Sequence, residues 1–462
     1  MKTAMVWLMQ VSLLSSITFT LPVYAQDKAP LSVNLASDTP ERKPGEKPDP
    51  KTLEGGLWAE TAKVEQAAKT SGERNADPAL NSYVAGVETR IAGPFAGDVR
   101  VYVMDRPFFN ASTAPNGYTE VWSGLLLRCQ TEDELAFVLG HEAGHFRHSH
   151  VLKTYQAMKD GQNAAMAASI LLAVVAMGAA MNANSYQAIN NINSVTRGLI
   201  DITYLGTIAA LMNYSRETEG QADAYGMIYA HRAGYFTGAS QVMWQERLNE
   251  TAASDYDKVR KSPTRINVFG DHPLEADRIT ALAIQDKELN GGKSSLQSEA
   301  DAKAARTAYR DHVRPYLAAW LKDDLRRQDY GQTLYVLGRL SVDGQDAGLL
   351  NYYKGEAFRM RGTDADLKSA LAAYQAAADK PDAPKETNRQ MGDVYRRMGD
   401  IPSAISAFQA YVAGAPNASD AWMVQDEIET LQKAPPVTPT STQTPTETKG
   451  TTPATPTSGG TT

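Results

Sequence analysis

Residues 131–150 read TEDELAFVLGHEAGHFRHSH, and four of the chain's seven histidines fall within the last ten of them. Thr131 is placed to cap a helix, and Glu134 three residues on completes a T-x-x-E capping box. Leu135, Val138 and Leu139 add an apolar stripe at helical spacing, so His141 and His145, four apart, should share one face. Two imidazoles one turn apart can converge on a single ion. Glu142, beside the first of them, completes H-E-x-x-H, in which the carboxylate serves as general base of a zinc protease. The competing reading is a surface helix that carries polar residues at these offsets. His148 lies near the same face and His150 nearly opposite, and both are read as structural or as outer partners of the ligating rings.

A catalytic zinc site needs a third protein ligand and an open position. In the metzincin pattern the third histidine would be residue 151, which is Val, and the glycine at 148 is His, so that pattern is excluded. The better source is NYSRETEGQADAYG (213–226). There Glu219 and Asp223 stand four apart on an expected second helix, so one carboxylate can bind zinc while the other accepts the N–H of a ligating imidazole.

H-E-x-x-H followed by S-R-x-x-E-x-x-A-D resembles the gluzincin metallopeptidases that include the CaaX prenyl proteases and the bacterial HtpX-like enzymes. The resemblance covers roughly residues 60–285. NASTAPNGYTEVWSGLL (110–126) is similar to that family's edge strand, Ser215 and Arg216 precede Glu219 in its manner, and DHPLEADRI (271–279) looks like its later H-P-x-x-x-x-R element. The resemblance implies an α+β, mostly helical zincin-type domain holding one zinc ion by His141, His145 and Glu219, with Glu142 as base and Asp223 behind the ligands. It also implies that His272 and Arg278 come from a separate segment to stabilise the oxyanion, or that His272 takes the open zinc position and holds the enzyme latent. Arg216 is expected to pair with a carboxylate.

Around this core, residues 1–25 read as a secretory signal peptide, with Lys2 ahead of an uncharged apolar stretch and small residues near Ala25. Residues 26–56, rich in Pro, Lys, Asp and Glu, are expected to be a disordered linker, and 57–290 the metallopeptidase domain. Within it, 57–95 should be mostly helical and VRVYVMD (99–105) alternates like a strand. Pro115-Asn116-Gly117 marks a turn between two extended runs. A strand at 118–122 is expected to form the edge of a small sheet flanking the site, where an extended substrate would add itself as another strand, and Asn110 and Ala111 are expected to bind it. The apolar run 164–181 is read as a helical hairpin over the active site, with contact to a membrane surface left open.

The C-terminal third repeats. GEAFRMRG (355–362) recurs as GDVYRRMG (392–399), and ALAAYQAA (370–377) recurs as AISAFQAY (404–411) at a spacing of 34, the tetratricopeptide period. With QTLYVLGRL (332–340) as a degenerate earlier copy, residues 306–432 are expected to form an all-α solenoid, followed by a disordered Pro/Thr-rich tail over 433–462.

A net charge of −7 without a dense Lys/Arg block argues against nucleic-acid binding. The one cysteine, Cys129, can form no internal disulfide and is expected as a small buried side chain. The signal, the metal-site motifs and the repeats together point to an exported zinc metalloendopeptidase, and the resemblance of this architecture implies a periplasmic enzyme acting on misfolded or misassembled envelope proteins, with peripheral outer-membrane contact left open. The alternative is a chaperone or assembly adaptor that works through its repeats while the metal site stays latent. An integral membrane prenyl protease would need several long apolar spans, and only one marginal candidate exists.

Overall fold

The computed structural model describes residues 33–161, 212, 214–261, 276–295 and 297–433. The expected signal peptide, the 164–181 run, His272 and residues 434–462 of the tail lie outside these residues. The chain divides into two compact units between Val336 and Leu337. Among the described residues no helix is long and apolar enough to cross a membrane.

The first unit is helical around a three-stranded mixed sheet ordered β1 (Arg100–Met104), β3 (Tyr118–Trp122), β2 (Ala111–Thr113). β3 runs parallel to β1, Arg100 opposite Tyr118, and antiparallel to β2, Ala111 opposite Val121. The strand at 118–122, expected at the edge, is thus the central one. A hairpin of this length folds β2 back outside β3, so that β2 takes that edge of the sheet. The turn between them depends on Gly117, whose φ is 80° and where a Cβ would stand 2.1 Å from the Asp98 carbonyl oxygen. On the far side, Asn75 N–H donates to the Val103 carbonyl at 2.9 Å, which covers the outer edge of β1.

Helices α1 (Leu53–Lys69) and α2 (Pro78–Ala92) precede the sheet, each started by a side-chain cap, Thr52 and Asp77. Behind β3 come the short α3 (Ser123–Arg128), then α4 (Glu132–Arg147) and α5 (His150–Asp160). The later helices of the unit's centre are α6 (Arg216–Arg232), α7 (Ala239–Ala252) and α8 (Ala276–Leu289).

Helix α4 is the hub. It packs on α2, α6, α7 and β2, and every residue from Glu134 to Arg147 is buried. A helix enclosed on all sides has no solvent face, which is why polar His141, Glu142 and His145 interrupt its apolar pattern. Thr131 Oγ1 accepts the Glu134 N–H at 3.2 Å as the cap requires, while Glu134 Oε2 takes the N–H of Gln130 at 2.7 Å.

Composition alone assigns 26–56 to a linker, yet from residue 33 the chain is strapped across the ends of α4 and α6. Arg42 N–H donates to the Arg147 carbonyl at 2.9 Å, and its side chain reaches the Phe146 carbonyl at 3.1 Å and Glu54 at 2.7 Å. A few charged groups, each satisfied by a helix-end carbonyl or a counter-ion, anchor a segment that has almost no apolar surface to bury.

Further described helices of this unit include α9 (Glu299–Val313), α10 (Leu317–Arg326) and the start of α11 (Tyr330–Leu340). Arg128 ties three of its elements together, bonding Glu250 of α7 at 2.8 Å and Asp324 of α10 at 2.8 Å. Cys129 next to it is buried.

The second unit contains α12 (Ala347–Arg361) packed on α13 (Asp364–Ala378), α14 (Thr387–Arg397) packed on α15 (Ile401–Gly414), and α16 (Ala421–Lys433). The two pairs share one contact. A Cβ on Gly355 would lie 2.4 Å from the Tyr374 ring, and one on Gly392 would lie 2.5 Å from the Phe408 ring. These are the residues that coincide when the two sequence segments are superposed.

Candidate metal centre

Three donors meet between α4 and α6. His141 Nε2 and His145 Nε2 are 3.1 Å apart, and the Glu219 carboxylate lies 3.6 Å from the first and 3.7 Å from the second. All three ligand atoms fall within 4.8 Å of one another, and all three residues are buried. Two imidazole nitrogens and a carboxylate oxygen are the donor set that borderline divalent ions such as zinc prefer.

The helices can bring these groups together because their seam is built from small residues. A Cβ on Gly140 would meet the Gly226 carbonyl oxygen at 2.8 Å, and one on Gly144 would meet the Tyr225 Cβ at 3.1 Å. The spacings Gly140-x-x-x-Gly144 and Ala222-x-x-x-Gly226 are the sequence signal for this crossing, and motif reading passes over it. Ser215 starts α6 by accepting the Thr218 N–H at 3.2 Å, which places Glu219 one turn into the helix. Arg216 pairs with Asp277.

Behind the donors stands a buried carboxylate. Asp223 Oδ1 is 3.0 Å from His141 Nδ1, and Trp244 Nε1 donates to the same oxygen at 3.3 Å. Arg278 of α8, 1% exposed, donates to Asp223 through Nε at 2.6 Å and Nη2 at 2.8 Å, and its Nη1 lies 2.9 Å from Glu219. Burial alone would push the Asp223 carboxyl up, but the Arg278 guanidinium and the His141 ring hold it well below the usual carboxylate range. Arg278, expected at an oxyanion, is therefore locked onto two carboxylates, one of them a metal-ligand candidate, by a planar fork suited to such pairing.

His145 has its own chain of partners. Its Nδ1 is 2.9 Å from His150 Nδ1, and His150 Nε2 is 2.9 Å from Asp38 Oδ2. Tyr214 stacks on the His145 ring at 4.0 Å. Burial pushes the His150 ring below its ordinary value against the pull of Asp38. His148 approaches only the far end of this chain, its Nδ1 3.7 Å from Asp38 Oδ2. It stacks on Tyr225 at 3.8 Å, and its Nδ1 faces the Thr39 carbonyl at 2.8 Å.

Glu142 points the other way, towards the sheet. Its Oε2 accepts the backbone N–H of Thr113 at 3.0 Å, which fixes the carboxylate between α4 and β2. Asn110 and Ala111 lie at the start of the same strand, Asn110 C=O accepting the Trp122 N–H at 3.1 Å. Behind it, burial and the charge of Glu142 push the Glu88 carboxyl of α2 well above its ordinary value. Asp38 comes from a segment read as linker, while Thr113 and Tyr214 lie inside the stretches 110–126 and 213–226, where no residue spacing signals their contacts with Glu142 and His145.

Comparison with known proteins agrees with this geometry. Residues 75–285 match peptidase family M48. A Vibrio cholerae protein named for a β-barrel assembly-enhancing protease is 32% identical over 212 residues, covering 44% of this chain and 38% of the relative. The β-barrel assembly-enhancing protease of Escherichia coli is 23% identical over 282 residues, covering 56% of this chain and 52% of the relative. A mitochondrial metalloendopeptidase of Bos taurus is 24% identical over 236 residues, 51% of this chain and 43% of the relative. The chain thus spans about half or less of these relatives' lengths. The matched segment holds both helices of the metal centre, the edge strand and Arg278, so the similarity to peptidase family M48 covers the candidate metal centre itself.

Proposed function

We propose that this chain is a zinc-dependent metalloendopeptidase of the cell envelope that cleaves misfolded or misassembled proteins, outer-membrane proteins among them. The observation that carries the reading is the convergence of His141, His145 and Glu219 within 4.8 Å, with Glu142 one residue from the first ligand and tethered to the edge strand. The relatives' names, which speak of β-barrel assembly, supply the substrate class. Export rests on the signal-like residues 1–25.

In this reading His141, His145 and Glu219 hold the ion. Bound there, zinc would supply Lewis acidity towards a peptide carbonyl and lower the pKa of a water molecule towards neutrality. Glu142 takes the proton of the attacking water and returns it to the leaving amine. Asp223 accepts the Nδ1 proton of His141, which leaves Nε2 as the donor atom, and Arg278 keeps Asp223 ionised. An extended substrate pairs with the edge strand β2 near Asn110 and Ala111, beside Glu142. His272, by resemblance, approaches the site from the segment before α8. The peptidase domain is read as 57–290, and of the repeats expected over 306–432 the paired helices of the second unit, from Leu337 on, present segments of the substrate protein.

The test is metal content together with casein cleavage by the purified chain, with and without chelator. One zinc per chain and chelator-sensitive cleavage are expected. A metal-free chain indifferent to chelation would replace this reading with the adaptor.

A further inference from the structure

We infer that the metal site is completed from outside the family-matched segment: Asp38, acting through His150, is a positioning residue for His145. This rests on the zinc reading above, and it adds a residue 37 positions ahead of the matched segment, which begins at residue 75.

The argument is proton accounting. For His145 to offer the lone pair of Nε2 to an ion, its ring proton must sit on Nδ1. Nδ1 faces His150 Nδ1 at 2.9 Å, so His150 accepts there and carries its own proton on Nε2. That proton points to Asp38 Oδ2 at 2.9 Å, and a carboxylate is the acceptor it needs. One acceptor at the end of the chain thus selects the tautomer of both rings. Without it, His150 can turn its proton towards His145, and His145 then carries its proton on the nitrogen that faces the site. His141 is served by a carboxylate directly, through Asp223 at 3.0 Å, whereas His145 is served at one remove.

Asp38 is held for the task. Its second oxygen takes Lys153 Nζ at 3.0 Å, its side chain is 1% exposed, and the strap is fastened on either side of it. Asn34 C=O accepts from Gln221 of α6 at 3.0 Å, and Thr39 C=O faces His148 at 2.8 Å. Surface ionic contacts alone would not require a carboxylate so deep beside the ligand helix.

The experiment measures zinc affinity of the full chain by competition with a chromophoric chelator, alongside the melting temperature of the metal-free protein. D38A should weaken zinc binding about 10-fold or more. D38N, which keeps an acceptor oxygen, should recover most of that loss. E41Q removes a different ion pair of the same strap, Glu41 with Arg147, and should bind zinc as the parent does. Should D38A not fold, H150N decides the matter. It keeps an acceptor for His145 but breaks the link to Asp38, and it should fall between the parent and D38A. Parent-like affinity in D38A and H150N overturns the inference while leaving the zinc reading intact, as does an equal loss in E41Q. A parent that binds no zinc overturns both.

Discussion

Gly226 of α6 lies against the backbone nitrogen of His141 so closely that a methyl group there would stand 2.8 Å from it. The first metal-ligand candidate and the glycine of the opposite helix therefore define one contact, and the reach of Glu219 to the imidazole pair follows from it. A Gly226→Ala protein must move the helices apart. We expect a loss of about 1–3 kcal/mol in stability, as overpacking typically costs, and a larger proportional loss of zinc affinity. Gly86, in mid-α2, has only Arg90 Nη1 at 3.9 Å from the same hypothetical methyl. Gly86→Ala should stabilise by about 0.5–1 kcal/mol. Paired thermal melts check the contrast, and a G226A protein as stable as G86A would refute the seam.

Glu142→Gln should reduce casein cleavage by about 100-fold to 10,000-fold, the range for losing a general base. Glutamine keeps an oxygen for the Thr113 N–H, so the α4–β2 contact and the zinc content should stay at parental levels. Zinc loss in this variant would mean that Glu142 helps to hold the ion and is not the base alone.

Zinc added to the metal-free protein should raise its melting temperature, since a ligand at about 100 times its Kd stabilises by about 2.7 kcal/mol. Glu219→Gln should abolish that response. Asp223→Asn should weaken zinc binding by about 10-fold to 100-fold, and it also leaves buried Arg278 short of an ionised partner, which costs about 3–5 kcal/mol in such settings. Calorimetry of both variants with and without zinc separates the two effects.

Acid should loosen the junction of α1 with the sheet. The Arg100 guanidinium, bonded to Glu65 at 2.8 Å and 2.9 Å, together with Tyr102, holds the Glu65 carboxyl at about 2 against an ordinary 4.5. A depressed carboxyl contributes its stability above its unfolded pKa and loses it as pH falls through the folded one. The contribution is thus complete above pH 4.5 and gone near pH 2. Glu65→Gln should cost about 1–3 kcal/mol at neutral pH and flatten the acid limb of a stability–pH curve. An unchanged acid limb would show that the pair is screened.

In the second unit, Gly392→Ala should force the Phe408 ring out of a site where it is 2% exposed, costing about 1–3 kcal/mol. Gly355→Ala should do the same at Tyr374. Urea unfolding followed by fluorescence is the check, and a neutral outcome at both glycines would break the equivalence of the two helical pairs.

The sequence alone determined the histidine helix and its two donors, because ligand spacing and helical pitch are both local. It also carried the second helix, with Glu219 and Asp223 four apart behind a serine cap, and the paired glycine and aromatic residues of the C-terminal segments. What only the tertiary structure decided is how these pieces meet. Which strand lies at the sheet edge depends on how a hairpin folds back. Arg278 sits behind the ligands because a buried aspartate demands a counter-ion. Asp38 reaches the site because charged groups on a strap poor in apolar residues find helix ends and an imidazole more than 100 residues away. Periodicity reports the face a residue presents, and distance across the fold is not encoded in it.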